Sequence, residues 1–231
     1  MPGPGRHRGL ALRRRYPPDG GCPHRARTAS VGRCELVTFC GSAGERSANQ
    51  ALLDVIDRVA VDRGWTVVAA GDLDGIPMFD PAVGEDAAPR AVTMLRNSFE
   101  TADAVVFAIP EYGGGAAGWA KNALDWMVGS GSLHDRIAAV VCAGTTGGRA
   151  RSDRSPALAW QGAHVVAALG VAAPVTKRDD RGRIIDESTL GSLTEIVGFL
   201  SEASEDEVRR RELTTETLGR LGIPLSDRTR A

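Results

Sequence analysis

The chain has 231 residues, 42% of them hydrophobic and 25% charged, with a formal net charge of -1. That length supports one substantial hydrophobic core and a single large domain. The near-neutral sum hides an asymmetry: residues 1–33 hold eight Arg, no Lys and one Asp, a net +7, which leaves the remainder of the chain at -8. An acidic body offers phosphates no clustered basic surface, which argues against a nucleic-acid partner. No stretch approaches the roughly 20 apolar residues that span a bilayer, so no membrane association is expected. Four cysteines (Cys22, Cys34, Cys40, Cys142) stand at wide spacings without a C-x-x-C. Neither a disulfide framework nor a zinc site is signalled, and a reducing cytoplasm fits.

Residues 1–33 contain five of the twelve Pro and almost no periodic apolar pattern. They are expected to form a disordered basic extension, because they cannot bury enough surface to offset chain entropy. A flexible tail, an upstream extension not translated in the cell and an interaction arm all remain open for them. From Cys34 to Ala203, apolar runs alternate with helical segments across Gly- or Pro-containing turns, the rhythm of a parallel sheet with crossover helices. Strand one is Glu35–Cys40, followed by a loop from Gly41 to Arg46 and a helix from Ser47 to Arg63 whose Leu52, Leu53, Ile56, Val59 and Ala60 form one stripe. Strand two, Thr66–Ala70, leads into an irregular stretch ending at Pro77, and then a helix from Pro89 to Ala102. Strand three, Ala104–Ile109, is apolar on both faces, as a central parallel strand should be. A helix from Ala116 to Met127, strand four (Ile137–Ala143) and the turn Gly144–Gly148 follow. A further helix is predicted from Pro156 to Leu169. Strand five is Val171–Val175, or Ala163–Ala167 if that helix ends at Gly162. The last long helix is Thr189–Ala203, and residues 204–231 are expected to be a charged tail, a short helix or disordered.

Five strands alternating with five helices predict an open, doubly wound α/β sheet. In such sheets ligands sit beyond the carboxyl ends of the strands where the strand order reverses, which for a 2-1-3-4-5 order is between strands one and three. Two loops are thereby singled out. Gly41–Gln50 brings small residues, hydroxyls and amides to a helix N-terminus, a seat for phosphate; a helix capped by Ser47 explains it equally. It has no G-x-G-x-x-G and no G-K-[ST], so a monophosphate cofactor is the better candidate. Pro110–Gly115 offers Tyr112 as a wall for a flat ring and glycine N–H groups for its heteroatoms, or else a Gly-rich turn with Tyr112 as a lid on the core. With Gly144–Gly148 on the same edge, the three loops suit a planar, phosphate-bearing cofactor. Cys142 reads as an inert core thiol, and His134 and His164 lack spaced partners, so no metal is expected. On the helix from Ala116, the apolar residues Ala116, Trp119, Ala120, Ala123, Leu124 and Met127 cover more than one stripe, which suggests a subunit contact.

Gly41-Ser42 through Ser47 and Asn49, Ile76-Pro77-Met78-Phe79-Asp80, Pro110-Glu111-Tyr112-Gly113-Gly114, Lys121-Asn122-Ala123-Leu124-Asp125-Trp126 and Gly144 with Gly147-Gly148 follow one another in this order. Taken together, from Leu36 to Leu200, the chain resembles the NADPH-dependent FMN reductase family of flavodoxin-like quinone and azo reductases. The resemblance implies a three-layer flavodoxin-like sheet of five parallel strands in the order 2-1-3-4-5, with FMN and NADPH as cofactors. It places the FMN phosphate on Gly41, Ser42, Ser47, Asn49 and Gln50, and the isoalloxazine on Pro110, Glu111, Tyr112, Gly113 and Gly114. The ring's remaining edge meets Gly144, Thr145, Gly147 and Gly148. Where the family usually has Arg this chain has Gly44, with Arg46 as the candidate replacement, and where it has Asn after the Tyr this chain has Gly113. No catalytic side chain is demanded, since the flavin carries the hydride. The implied activity passes electrons from NADPH to a quinone, azo compound, free flavin or similar small-molecule acceptor by a ping-pong mechanism, in a homodimer or homotetramer joined through the helix containing Lys121–Trp126. The alternative is an FMN-binding electron carrier or redox-responsive binding protein of the same fold.

Overall fold

The computed structural model describes residues 34–42, 44, 47–71, 73–145 and 149–223. The basic extension, Arg46, Gly147, Gly148 and the residues after Ile223 lie outside the described residues. Five strands form one parallel sheet: β1 (Glu35–Cys40), β2 (Thr66–Ala69), β3 (Ala104–Ala108), β6 (Ile137–Gly144) and β7 (His164–Ala172), ordered β2-β1-β3-β6-β7. This is the expected 2-1-3-4-5 order, with a two-strand hairpin, β4 (Glu111–Tyr112) and β5 (Gly115–Ala116), inserted after β3.

Helices cover both faces, which is why the central strands are apolar throughout. On one face α1 (Ala48–Asp62) and α5 (Glu187–Glu205) set Leu52, Ile56, Leu193 and Val197 against Leu36, Val106 and Val141. On the other, α2 (Arg90–Thr101), α3 (Gly118–Asp125) and α4 (Arg149–Trp160) set Val92, Leu95, Ala123 and Leu158 against Val37, Val105 and Val140. Phe39, Phe99 and Phe107 pack in that second layer with ring centroids 5.4 to 6.1 Å apart.

Two segments differ from the sequence-based expectation. The helix predicted to reach Leu169 ends at Trp160, and β7 begins at His164 and continues to Ala172, taking in all but the first residue of the Ala163–Ala167 alternative and only the start of Val171–Val175. Gly162 adopts φ +86, which ends the helix, and the β-branched Val165 then joins the ladder beside β6, with Val166 at a bulge in the register. Beyond Ser204 the chain takes the helical one of the alternatives left open, as α6 (Glu207–Arg220), longer than a short helix and packed on the domain. Asp206 caps it by accepting from the N–H groups of Val208 and Arg209, Leu213 and Leu218 are buried, and the Thr217 hydroxyl donates to the Val166 carbonyl at 2.9 Å. Four apolar or threonine positions among many charges had too weak a period to reveal a packed face.

Candidate functional site

The loops after β1, β3 and β6 leave the carboxyl edge of the sheet, and the structure locks them to one another. Gly41 donates its N–H to the Ala108 carbonyl at 2.8 Å. A Cβ on Gly41 would lie 2.8 Å from the Ala120 Cβ and 3.2 Å from Pro110 Cδ, so a bare backbone is what lets the first loop approach the second and α3. Asn49, buried in α1, accepts the Ala143 N–H at 2.9 Å and donates to the Ala143 carbonyl at 3.4 Å, tying the first loop to the end of β6. The Glu111 side chain lies directly on the backbone of Gly144, which joins the second loop to the third.

Ser47 caps α1, its hydroxyl accepting from the N–H groups of Asn49 and Gln50 at 3.2 and 3.3 Å. The cap does not exclude a phosphate, which would meet the hydroxyl and the positive end of the helix at the same place. Ser42 is half-buried beside it. Two of the phosphate-loop residues are turned elsewhere: the Asn49 amide is engaged with Ala143, and the Gln50 amide donates to Asp54 at 2.9 Å along α1. Asn49 therefore sets the spacing between loops. Burial pushes the Cys40 thiol up in pKa, against the opposing pull of the Ser42 carbonyl and the Ser47 hydroxyl. It is a poor nucleophile under the first loop.

The second loop is a hairpin. Glu111 and Tyr112 pair with Ala116 and Gly115, the Pro110 carbonyl accepts the Ala117 N–H at 3.0 Å, and the turn residues Gly113 and Gly114 have φ of +59 and +80. Positive φ at both central positions is the type I′ requirement, which Asn and Gly both satisfy. Gly113 therefore keeps the backbone that an Asn would adopt and gives up only the side chain. Tyr112 is 67% exposed at the mouth of the site, so it is not a lid on the core. Thr145 is exposed beyond Gly144.

A further segment is held on α3 by contacts that residue types alone did not reveal. Pro77 and Phe79, in the long connection after β2, are hydrogen-bonded to Asn122 and Trp126 of the Lys121–Trp126 stretch. Lys121 pairs with Asp125 on the exposed side of α3. Among the described residues no group of three or more His, Cys, Asp or Glu is placed to hold a metal, and no helix is long and apolar enough to cross a membrane.

A parallel sheet whose order reverses between β1 and β3, with interlocked small-residue loops at that reversal, defines a flavodoxin-like mononucleotide-binding α/β protein. The model of the NADPH-dependent FMN reductase family matches residues 34–177, and the chain belongs to that family. Membership implies FMN and NAD(P)H as cofactors. An NAD(P)H-dependent FMN reductase of Pseudomonas aeruginosa is 41% identical over 92 residues, covering 40% of this chain and 49% of that protein. A quinone reductase of Escherichia coli is 31% identical over 96 residues, covering 41% and 50%. The chain thus spans about half the length of these curated relatives in the aligned regions. Among solved structures, the flavoenzyme NAD(P)H:(acceptor) oxidoreductase FerB of Paracoccus denitrificans superposes with a TM-score of 0.61 at 23% identity, over 74% of this chain and 97% of that one. An apo NADH:FMN oxidoreductase gives 0.55 at 16%, over 72% and 88%. These likenesses carry the fold.

The described residues fit FMN. Ser42, Ser47 and the start of α1 suit a phosphate, Tyr112 presents an exposed ring, and among the described residues nothing lies within 4 Å of where a Cβ on Gly44 or Gly113 would stand.

Proposed function

We propose that the protein is an FMN-dependent NAD(P)H oxidoreductase that passes electrons from NADPH to a quinone, azo compound, free flavin or similar small acceptor. The observation that carries this reading is the locking of the three strand ends to one another at the carboxyl edge: Gly41 against Ala120, Asn49 on Ala143, and Glu111 on Gly144. When bound, FMN accepts the hydride and delivers the electrons; the chain supplies position and shelter. Ser42, Ser47 and the α1 N-terminus hold the phosphate, with Arg46 offering it a positive charge. The hairpin Pro110–Gly115 offers backbone N–H groups and the Tyr112 ring to the isoalloxazine, and Gly144, Thr145, Gly147 and Gly148 meet its other edge. Asn49 and Gln50 act through the spacing and the start of α1. NADPH and acceptor take the same open face in turn, which makes the kinetics ping-pong.

The protein works in the cytoplasm as a homodimer or homotetramer that buries α3, a reading supported by the exposed Trp119 on that helix. The reductase domain begins at Cys34, with residues 1–33 as an appendage. The test is NADPH oxidation followed at the nicotinamide absorbance. Oxidation that accelerates on adding FMN and a quinone is expected, with parallel initial-rate lines; FMN binding without any acceleration across several acceptors would leave the electron carrier in its place.

A further inference from the structure

The pairing of β3 with β6 stops before β6 does. Their register runs to Ala108 and Val141, and the Val141 carbonyl accepts the Ile109 N–H at 2.9 Å. Peptide groups alternate in direction along a strand, so Ala143 is the next β6 residue whose N–H and C=O turn to the β3 side. The chain of β3 has by then turned off: Pro110 carries no N–H, and Glu111 pairs with Ala116 in the hairpin. A buried peptide group left open at Ala143 would cost free energy. The Asn49 side chain takes the place, its Oδ1 accepting the Ala143 N–H at 2.9 Å and its Nδ2 donating to the Ala143 carbonyl at 3.4 Å. A primary amide carries the donor and acceptor of a peptide group, so Asn49 stands in for a strand residue.

Its position in the chain matters as much. Asn49 lies in the first turn of α1, two residues after Ser47, the cap. Ala143 immediately precedes Gly144, the residue on whose backbone the Glu111 side chain lies. One side chain therefore connects the helix start that suits a phosphate with the strand end that leads into the third loop. At 3% exposure, with both amide atoms on Ala143, Asn49 has almost no surface left to offer a ligand.

We propose that Asn49 is a positioning residue that fixes the end of β6, and with it the loop from Gly144, for the isoalloxazine ring, and that it is not a ligand of the FMN phosphate. The proposal rests on the flavoenzyme reading above and separates the residues that touch the cofactor from one that acts through the backbone. The two roles part on riboflavin, which has the same ring and no phosphate. Loss of a phosphate ligand weakens FMN and spares riboflavin. Loss of the Asn49 amide weakens both alike, because Ser42, Ser47 and the start of α1 still serve the phosphate while the ring loop must be ordered at each binding event.

The experiment compares the full-length wild type with Asn49→Leu, which loses both amide contacts at similar volume, and Asn49→Asp, which keeps an acceptor for the Ala143 N–H. Ser42→Ala serves as the phosphate-side comparison. Hydrogen exchange at the Ala143 amide, read without flavin, should be about tenfold faster in Asn49→Leu. Its Kd values for FMN and riboflavin, from flavin fluorescence quenching, should both rise about tenfold, with their ratio within about twofold of wild type. Ser42→Ala should weaken FMN alone. Asn49→Asp should return Ala143 exchange and the riboflavin Kd to within about threefold of wild type, and it carries the test if Asn49→Leu does not fold. Weaker FMN with unchanged riboflavin in Asn49→Leu overturns the proposal and makes Asn49 a phosphate ligand. Wild-type exchange at Ala143, or wild-type affinity for both flavins, also overturns it. So does an Asn49→Asp that behaves as Asn49→Leu, the mark of a general structural role. A wild type that binds neither flavin overturns the flavoenzyme reading itself.

Discussion

At the residue scale, the site depends on a few atoms that are absent or exposed. Gly41 has no room for a methyl group: its Cβ would meet the Ala120 Cβ at 2.8 Å and the Ala108 carbonyl at 3.3 Å. Gly41→Ala should cost about 1–3 kcal/mol by overpacking and weaken FMN binding together with stability, both readable from denaturant unfolding with and without FMN. Wild-type stability in this variant would show that the loop has slack. Tyr112 is the opposite case, a ring exposed and free of core packing. Tyr112→Ala should leave the unfolding midpoint in place and weaken FMN binding about five- to tenfold, the size of one aromatic stacking contact. Equal FMN affinity, by fluorescence quenching of the flavin, would move the ring away from the hairpin. The residue types in these loops pointed to a phosphate-bearing planar ligand, but not to which amides are spoken for. Asn49 and Gln50 looked alike as phosphate ligands, and only the fold shows Asn49 bonded to Ala143 and Gln50 to Asp54.

At the scale of elements, ends and caps explain where periodicity succeeded and failed. The helix starting at Ser47 carried both its cap and its stripe in the sequence, and the structure has it at Ala48–Asp62 with Ser47 as the cap. The α4–β7 region carried competing patterns, a run of small apolar residues that suits helix or strand, and the decision fell to Gly162 and to the ladder with β6. Helix α5 supplies a pH prediction. Its cap Asp186 accepts from the N–H and hydroxyl of Thr189 and faces Lys177, and these contacts hold its carboxyl below the ordinary value. A depressed folded-state pKa gives stability that is present above the unfolded-state value and lost as pH falls through the folded-state value. Asp186→Ala should therefore lower the unfolding midpoint at neutral pH and flatten its decline in acid, measured by thermal unfolding between neutrality and about pH 3. A decline as steep as wild type would assign the acid dependence to other groups, with Asp179, held low by Arg183, the next to test.

For the whole molecule, α6 is the element whose importance the charge density concealed. It lies against β7, the edge strand, and its Thr217 hydroxyl satisfies the Val166 carbonyl there. An uncovered edge strand is an aggregation hazard. A chain ending at Ala203 should lose several kcal/mol, because Leu213 and Leu218 are both buried and each is worth about 1.5–3 kcal/mol. It should also form aggregates on size-exclusion chromatography; a stable, monodisperse product would return α6 to the status of an appendage.

Local pattern by itself determined the alternation of strands and helices and hence a parallel sheet, because that follows from apolar runs, helical stripes and the punctuation of Gly and Pro along the chain; the order of its strands came from the family resemblance. Local pattern also marked Gly41, Tyr112 and Gly144 through their residue types. Tertiary structure alone decided which polar side chains remain open to a ligand and which are spent on backbone, as at Asn49 and Asn122. It alone showed that α6 closes the sheet's edge. Hydrogen bonds between positions 94 residues apart, as from Asn49 to Ala143, or 45 apart, as from Asn122 to Pro77, leave no trace in local periodicity. They exist only once the packed core has brought those backbones together.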